Sequence, residues 1–300
     1  MAAKRIQLSK TGPEFSRVAA GVWKWDNLNT QQIDTLVKAG IESGITTFDH
    51  ADIYGSYTCE EAFGKVLRQD SSLRDKIELV SKCGIKLLSP NRPDHKVHSY
   101  DTSKSHIVSS VENSLKMLET EYLDLLLIHR PDPLMHPDEI AEAFYQLQKS
   151  GKVLHFGVSN FTPSQFEMLN SRFTLVTNQV EISALHRDTI FDGTLDQCIQ
   201  HSIVPMAWSP LGSGQIFTET DDPTVRRLRD KVIEIATNHN NAGIDQILLA
   251  WLMKHPSQIL PILGTSKPER IKAAADAIDI DLSRDEWFEI LVAAQGHPIP

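Results

Sequence analysis

Eight short apolar runs, each followed by an amphipathic helical pattern, fill the chain from end to end. This alternation restricts the fold more than any other feature of the sequence. The runs cover residues 18–23, 46–51, 77–82, 123–129, 155–160, 175–181, 204–210 and 259–264. Between them apolar residues recur at helical spacing, as in Ile33, Leu36, Val37 and Gly40, and in Ile107, Val111, Leu115 and Leu118. Helices are also expected at about 59–67, around Ile140, Phe144 and Leu147, and after Thr162, which reads as an N-cap followed by Pro163 and a capping-box Gln165. Two more helical patterns, Val225–Leu228–Val232–Ile235 and Ile244–Ile247–Leu248–Trp251, precede the last run. The runs are continuously apolar rather than alternating, so both faces of each strand are expected to be buried, as in a parallel sheet. Eight such units match an α/β fold of the (β/α)8 TIM-barrel type. A doubly wound open sheet with an extra lobe is the alternative. A short N-terminal β-hairpin and extra C-terminal helices near 271–278 and 283–294 are expected to complete it.

Length divided by 150 suggests two domains for 300 residues, yet no composition shift or linker marks a boundary, and α/β barrels fill this length as one. Residues 1–300 therefore read as a single barrel domain. Lys and Arg number 30 against 39 Asp and Glu, a formal charge of −9, which leaves no footprint for nucleic acid or an anionic membrane. The three cysteines, Cys59, Cys83 and Cys198, are too sparse for a disulfide framework or a metal knuckle. The N-terminal stretch from Met1 to Gln7 lacks a signal-peptide core, and no apolar run is long enough to span a bilayer. The expectation is a cytoplasmic monomer or small homo-oligomer acting on a small molecule.

In a barrel, chemistry sits at the C-terminal ends of the strands. Here the second run leads into Asp49-His50-Ala51-Asp52-Ile53-Tyr54-Gly55, the third ends in Lys82 and the fourth in His129-Arg130. The fifth ends in Ser159-Asn160, the sixth carries Asn178, Gln179 and Glu181, the seventh ends in Trp208-Ser209 and the eighth in Gly264-Thr265-Ser266-Lys267. Each alone has a structural reading as turn packing or a solvated edge. Together they bring Asp49, Lys82, Tyr54 and His129 to one rim. A Lys ammonium favours the phenolate of a neighbouring Tyr, whose ordinary pKa is near 10. A carboxylate holds the Lys, and a His hydrogen-bonds the same substrate oxygen. Such a group is a general acid beside an oxyanion site, suited to carbonyl reduction.

The hydride for such a reaction comes from a cofactor, but no Gly-x-Gly-x-x-Gly follows a strand and no P-loop is present. Ser266-Lys267-Pro268-Glu269 has capping-box form, and a helix N-terminus beside Lys267 and Arg270 would attract a phosphate. It reads equally as a plain capped helix, with Glu269 opposing an anion. Trp23, Trp25 and Tyr57 are candidates for walls of a substrate pocket, or for packing under a loop. His95 and His98 in the loop 83–103 lack a third ligand, and no metal site is expected.

The segments FDHADIYG, LVSKCG, LDLLLIHRPDP, GKVLHFGVSNF, TNQVEIS, MAWSPLGSG and PILGTSKPERI occur in the order seen in aldo-keto reductases. On them the whole chain resembles that family, most nearly its YdhF-like branch of bacterial oxidoreductases. The resemblance implies a barrel that uses NADPH (NADP+) without a Rossmann fold, with NADH as an alternative. It implies a catalytic tetrad of Asp49, Tyr54, Lys82 and His129. It also implies that Ser159, Asn160 and Gln179 bond the nicotinamide carboxamide, that Ser209, Leu211 and Ser213 run along the pyrophosphate, and that Thr265, Ser266, Lys267 and Arg270 hold the adenosine 2′-phosphate. Trp208 stands where the family usually stacks a tyrosine on the nicotinamide, and Ala273 and Ala274 stand where a Glu-Asn pair usually meets the adenine. Two rival functions remain: a lyase forming a Schiff base through Lys82, and a cofactor-binding partner subunit without catalysis.

Overall fold

The computed structural model describes residues 5–299. Met1 to Lys4, the start of the stretch assessed above for a signal peptide, and Pro300 lie outside the described residues. The eight runs form β1 (Ala19–Gly21), β2 (Thr47–Asp49), β3 (Glu78–Cys83), β4 (Leu123–Ile128), β5 (Val153–Ser159), β6 (Asn178–Glu181), β7 (Met206–Trp208) and β8 (Leu260–Leu263). They pair in parallel and in sequence order around a closed barrel, β8 returning to β1. The expected (β/α)8 barrel is therefore the observed fold. Several strands are shorter than their apolar runs. In the sixth, residues 175–177 lead into the strand with Val176 N–H bonded to Phe156 O at 2.9 Å, before regular pairing begins at Asn178.

Successive side chains of a strand point to opposite faces, and the core divides accordingly. Val80, Leu125, Leu127, Met206, Leu260 and Ile262 fill the barrel interior. Their neighbours Leu79, Leu126, Ile128, Phe156 and Val158 pack outward under the helices. The N-terminal hairpin, Arg5–Gln7 against Glu14–Ser16, delivers Ile6, Leu8 and Phe15 to the interior cluster and so closes one end of the barrel. Leu8 O accepts from Val204 N–H at 2.8 Å, and Ser16 N–H donates to Thr47 Oγ1 at the start of β2. The hairpin thus plugs the N-terminal end, and the opposite rim is left open.

The helices begin where the cap chemistry places them. Asn29 with Gln32, Thr162 with Gln165 and Ser283 with Glu286 form reciprocal capping boxes. Ser266 does not cap: the helix Pro268–Asp276 has Lys267 at its N-cap and no side-chain cap. Pro268 takes the first helical position, where its fixed φ is preorganised and its missing N–H costs nothing, so the boundary moves one residue past the capping-box reading. Two helices, Pro223–Asn238 and Ile244–Lys254, connect β7 to β8. The added C-terminal helix Arg284–Gln295 is tied to the second of these by a reciprocal pair. Trp251 and Trp287 stack at 5.1 Å, each indole N–H donating to the other's carbonyl at 3.0 Å.

Gly64 sets the closest helix contact. In helix Cys59–Gln69 it faces the end of helix Lys104–Leu118, and a Cβ there would lie 2.0 Å from Met117 O. Backbone cannot swing aside as a side chain can. Gly64→Ala should therefore destabilise the protein by about 2 kcal/mol or more, read as a lowered Tm. An unchanged Tm would show that the two helices separate freely.

Candidate active site

Strand parity carries the polar residues of the open rim inward. Lys82 is in phase with the interior Val80, and Asp49 with Thr47, while Phe48 faces outward. The Lys82 side chain is fully buried and its three N–H bonds have three acceptors. Nζ donates to Asp49 Oδ2 at 2.7 Å, to the carbonyl of His50 at 2.8 Å and to Tyr54 Oη at 3.1 Å. Tyr54 comes from the turn after β2. That turn needs Gly55, whose φ of +58° is left-handed and whose Cβ would sit 2.7 Å from Asp26 Cβ and 2.8 Å from Cys59 Sγ. His129 follows β4 and meets the Tyr54 ring edge-on, with centroids 6.0 Å apart.

The charge states follow from this packing. Burial works to lower the Lys82 pKa, but Asp49 and Tyr54 outweigh it and the net shift is upward, so the ammonium persists. From the sequence alone, Lys82 is expected to pull Tyr54 down. It does act in that direction, but burial of the phenol is larger and the net shift of Tyr54 is upward. The phenol therefore keeps its proton. Because Oη accepts from Lys82, that proton is free to point into the cavity. Burial and the Lys82 charge push His129 well below its ordinary value and His50 down to about 3, so both imidazoles are neutral.

Beside Tyr54 a groove of about 440 Å³ runs past β7 and β8. Asp49, Tyr54, Trp23, Trp208, Ser209, Leu211, Ser213, Thr265 and Arg270 line it, as do Phe217, Asp245, Leu249 and Ala274. Ser209 and Ser213 are non-glycine residues with φ of 50° and 55°, the kind of backbone that concentrates at ligand sites. Ser159, Asn160 and Gln179 form a hydrogen-bonded chain under the rim. Trp208 Nε1 donates to Asn160 Oδ1 at 3.0 Å, Asn160 Nδ2 to Ser159 Oγ at 2.8 Å, and Ser159 Oγ to Gln179 O at 2.8 Å. Gln179 Nε2 then donates to Asp49 Oδ1 at 2.8 Å. The residues expected around a nicotinamide are thus joined to the Asp49–Lys82–Tyr54 group by one network.

Some candidates fall elsewhere. Trp25 is not a pocket wall: it is 1% exposed, stacked on Phe63, edge-on to Phe48, and its indole N–H donates to Thr265 O at 2.8 Å. Tyr57 faces away into a separate small cavity, where its Oη accepts from Leu87 N–H and its ring lies between Arg92 and His95. Ser266 and Lys267 are exposed beside the groove rather than in its lining. Ala273 is also outside it, its carbonyl taken by Gln246 Nε2 at 2.9 Å. His95 Nδ1 bonds Leu87 O, and no group of three or more metal-ligating side chains comes together among the described residues. No described helix is long and apolar enough to cross a membrane.

The groove's far wall of Asp245 and Leu249, one turn apart on helix Ile244–Lys254, and of Phe217 after β7 carries no site motif in the sequence. Nor does a buried acidic pair. Asp52 and Glu60 lie behind the rim, and Ser81 Oγ donates to Glu60 at 2.6 Å. Burial and their mutual repulsion raise Asp52 well above the usual carboxylate range, and burial pushes Glu60 up to about 7.

A parallel barrel with an ammonium–carboxylate–phenol group at its C-terminal rim, opening on a long groove, defines the class of a barrel oxidoreductase. The family model described as "Aldo/keto reductase family" matches residues 17–293, and the chain belongs to that family. It is 48% identical to oxidoreductase YdhF of Escherichia coli (strain K12), over 99% of each chain. It is 42% identical to a 6-dehydroglucose reductase of Agrobacterium fabrum (strain C58 / ATCC 33970), again over 99% of each. A crystal structure of an aldo/keto reductase from Klebsiella pneumoniae in complex with NADP and acetate matches with a TM-score of 0.79 at 28% identity, covering 98% of this chain and 97% of that one. The protein is accordingly an NAD(P)H-dependent oxidoreductase of carbonyl chemistry.

Glu60 also makes stability depend on pH. Unfolded, it titrates near 4.5; folded, near 7. Between these values the folded chain holds a proton that the unfolded chain has released, so stability falls as pH rises from about 4.5 to about 7. Glu60→Gln keeps the group neutral and should lose less Tm between pH 5 and pH 7.5 than the wild type. Parallel Tm curves would show that Glu60 is ionised in the folded protein.

Proposed function

We propose that the protein reduces aldehydes or ketones to alcohols with NADPH, and that Tyr54 is the general acid. The observation that carries this reading is the buried Lys82 ammonium donating to Tyr54 Oη, which leaves the phenol proton to the cavity. NADPH, when bound, supplies a hydride to the carbonyl carbon. Tyr54 Oη gives its proton to the carbonyl oxygen, and the product is the neutral alcohol. His129 positions that oxygen: its Nδ1 has no partner among the described residues, so its single N–H sits best on Nε2. Lys82, held by Asp49, then stabilises the phenolate left behind.

The residues present suit this cofactor. Arg270 lines the groove with no ion-pair partner among the described residues, as a guanidinium awaiting the 2′-phosphate would. Thr265 lies beside it, and Ser266 and Lys267 stand exposed at the same mouth. Ser209, Leu211 and Ser213 would follow the pyrophosphate. Trp208 would stack on the nicotinamide, with Ser159, Asn160 and Gln179 at its carboxamide. Ala274 leaves a flat apolar wall for the adenine. A Schiff-base role for Lys82 is disfavoured, because its amine is charged and all three N–H bonds are used. The likeness to a 6-dehydroglucose reductase supports an oxygen-rich carbonyl substrate over a plain alkyl one. Three buried free cysteines suit the cytoplasm.

Tyr54→Phe should lower kcat by about 100-fold or more, while NADPH affinity from fluorescence titration stays near the wild-type value. Wild-type turnover in this variant would remove Tyr54 from the chemistry. Arg270→Ala should weaken NADPH about tenfold or more while leaving NADH affinity within about threefold. Equal loss for both cofactors would place the 2′-phosphate elsewhere.

A further inference from the structure

On the far side of Tyr54 from the dinucleotide groove lies a second cavity of about 640 Å³, open to solvent. Trp23, Lys24 and Tyr54 line both spaces, and His129, Arg130 and Asp26 are among the other residues that line the second. A substrate whose carbonyl meets Tyr54 and His129 must lay the rest of its length here. The walls are not those of an apolar pocket. Arg130 follows His129 directly and is half-buried, its guanidinium 5.5 Å from the centroid of the Trp208 ring. A contact with an aromatic ring occupies none of the five N–H bonds of a guanidinium. Arg130 makes no hydrogen bond or ion pair through its side chain among the described residues. Lys24 lies 5.8 Å from the Trp23 ring centroid, also without a carboxylate partner. The one carboxylate of the lining, Asp26, is exposed and accepts from Asn27 Nδ2 at 3.1 Å.

We propose that Arg130, assisted by Lys24, selects a carbonyl substrate that carries an oxyanion at the end remote from the reacting carbon. Two coplanar oxygens of a carboxylate match the paired N–H bonds of the guanidinium. Asp26 sits at the exposed edge and leaves the mouth with a surplus of positive charge. A chain of net charge −9 has no general attraction for an acid, so the selection has to be local. This inference rests on the carbonyl reductase reading above.

The test compares succinic semialdehyde with its neutral methyl ester, and with D-glyceraldehyde as a neutral polyol, using NADPH. The wild type should favour the acid over the ester by about tenfold or more in kcat/KM. Arg130→Met should lose that preference, mainly through KM for the acid, with the ester changing less than about threefold. Arg130→Lys should recover part of it, and NADPH affinity by fluorescence should hold in both variants. Preference for the ester or the polyol in the wild type would overturn the proposal, as would equal losses for acid and ester in Arg130→Met. Either result alongside steady turnover of neutral aldehydes would leave the reductase reading standing. Absence of turnover with every carbonyl would overturn both together.

Discussion

The buried ammonium of Lys82 is the constraint on which the rim depends. Taking such an ion out of water costs several kcal/mol unless its hydrogen bonds are replaced in good geometry. Each of its three N–H bonds finds an acceptor, and those acceptors come from β2 and the turn beyond it. Asp49 cannot satisfy the charge and also move, because its second oxygen is held by Gln179 from β6 across the barrel. Gln179 is joined through Ser159 and Asn160 to Trp208 on β7. One charge therefore couples strands from opposite sides of the barrel.

The same charge sets the protonation of its neighbours. His50 and His129 face an ammonium and little water, so both stay neutral. Tyr54 is pulled in two directions, and burial prevails over Lys82. A protonated phenol stands beside a neutral imidazole at the cavity. In the proposed reaction the Lys82–Asp49 ion pair behind them would stabilise the phenolate once the proton has left. This division of labour needs Lys82 charged, which is the condition a Schiff-base amine would have to break.

Much of this was legible in the sequence, for physical reasons. Eight apolar runs with helical spacers leave few ways to bury both faces of every strand, and the closed parallel barrel is the arrangement observed. Period-two alternation then carries Asp49 and Lys82 inward along with Thr47 and Val80. What escaped notice depends on contacts between distant segments. The Gln179–Asp49 bond spans 130 residues. Trp25 carries no local signal separating a pocket wall from a core residue; the space between Phe48 and Phe63 decides it. Tyr57 is turned away by a left-handed φ of 73° in the turn that aims Tyr54. At Ser266 two local rules competed, and the preference of Pro268 for the first helical position prevailed over the capping box.

The net charge of −9 conceals a difference among the cations. Many lie in exposed ion pairs, such as Lys38 with Asp34, Lys65 with Glu61 and Arg172 with Asp138, and such pairs contribute little to stability. An exposed lysine without a partner keeps its water and costs nothing. Arg130 is in a different position, because it is half-buried in the wall of the second cavity and its guanidinium has no acceptor among the described residues. Its contact with the Trp208 ring, 5.5 Å from the centroid, satisfies none of the N–H bonds. A side chain in this state is better matched to something that enters the cavity than to the fold around it. The summed charge misses this, because the proposed recognition depends on which few cations line the cavity beside Tyr54 without a partner.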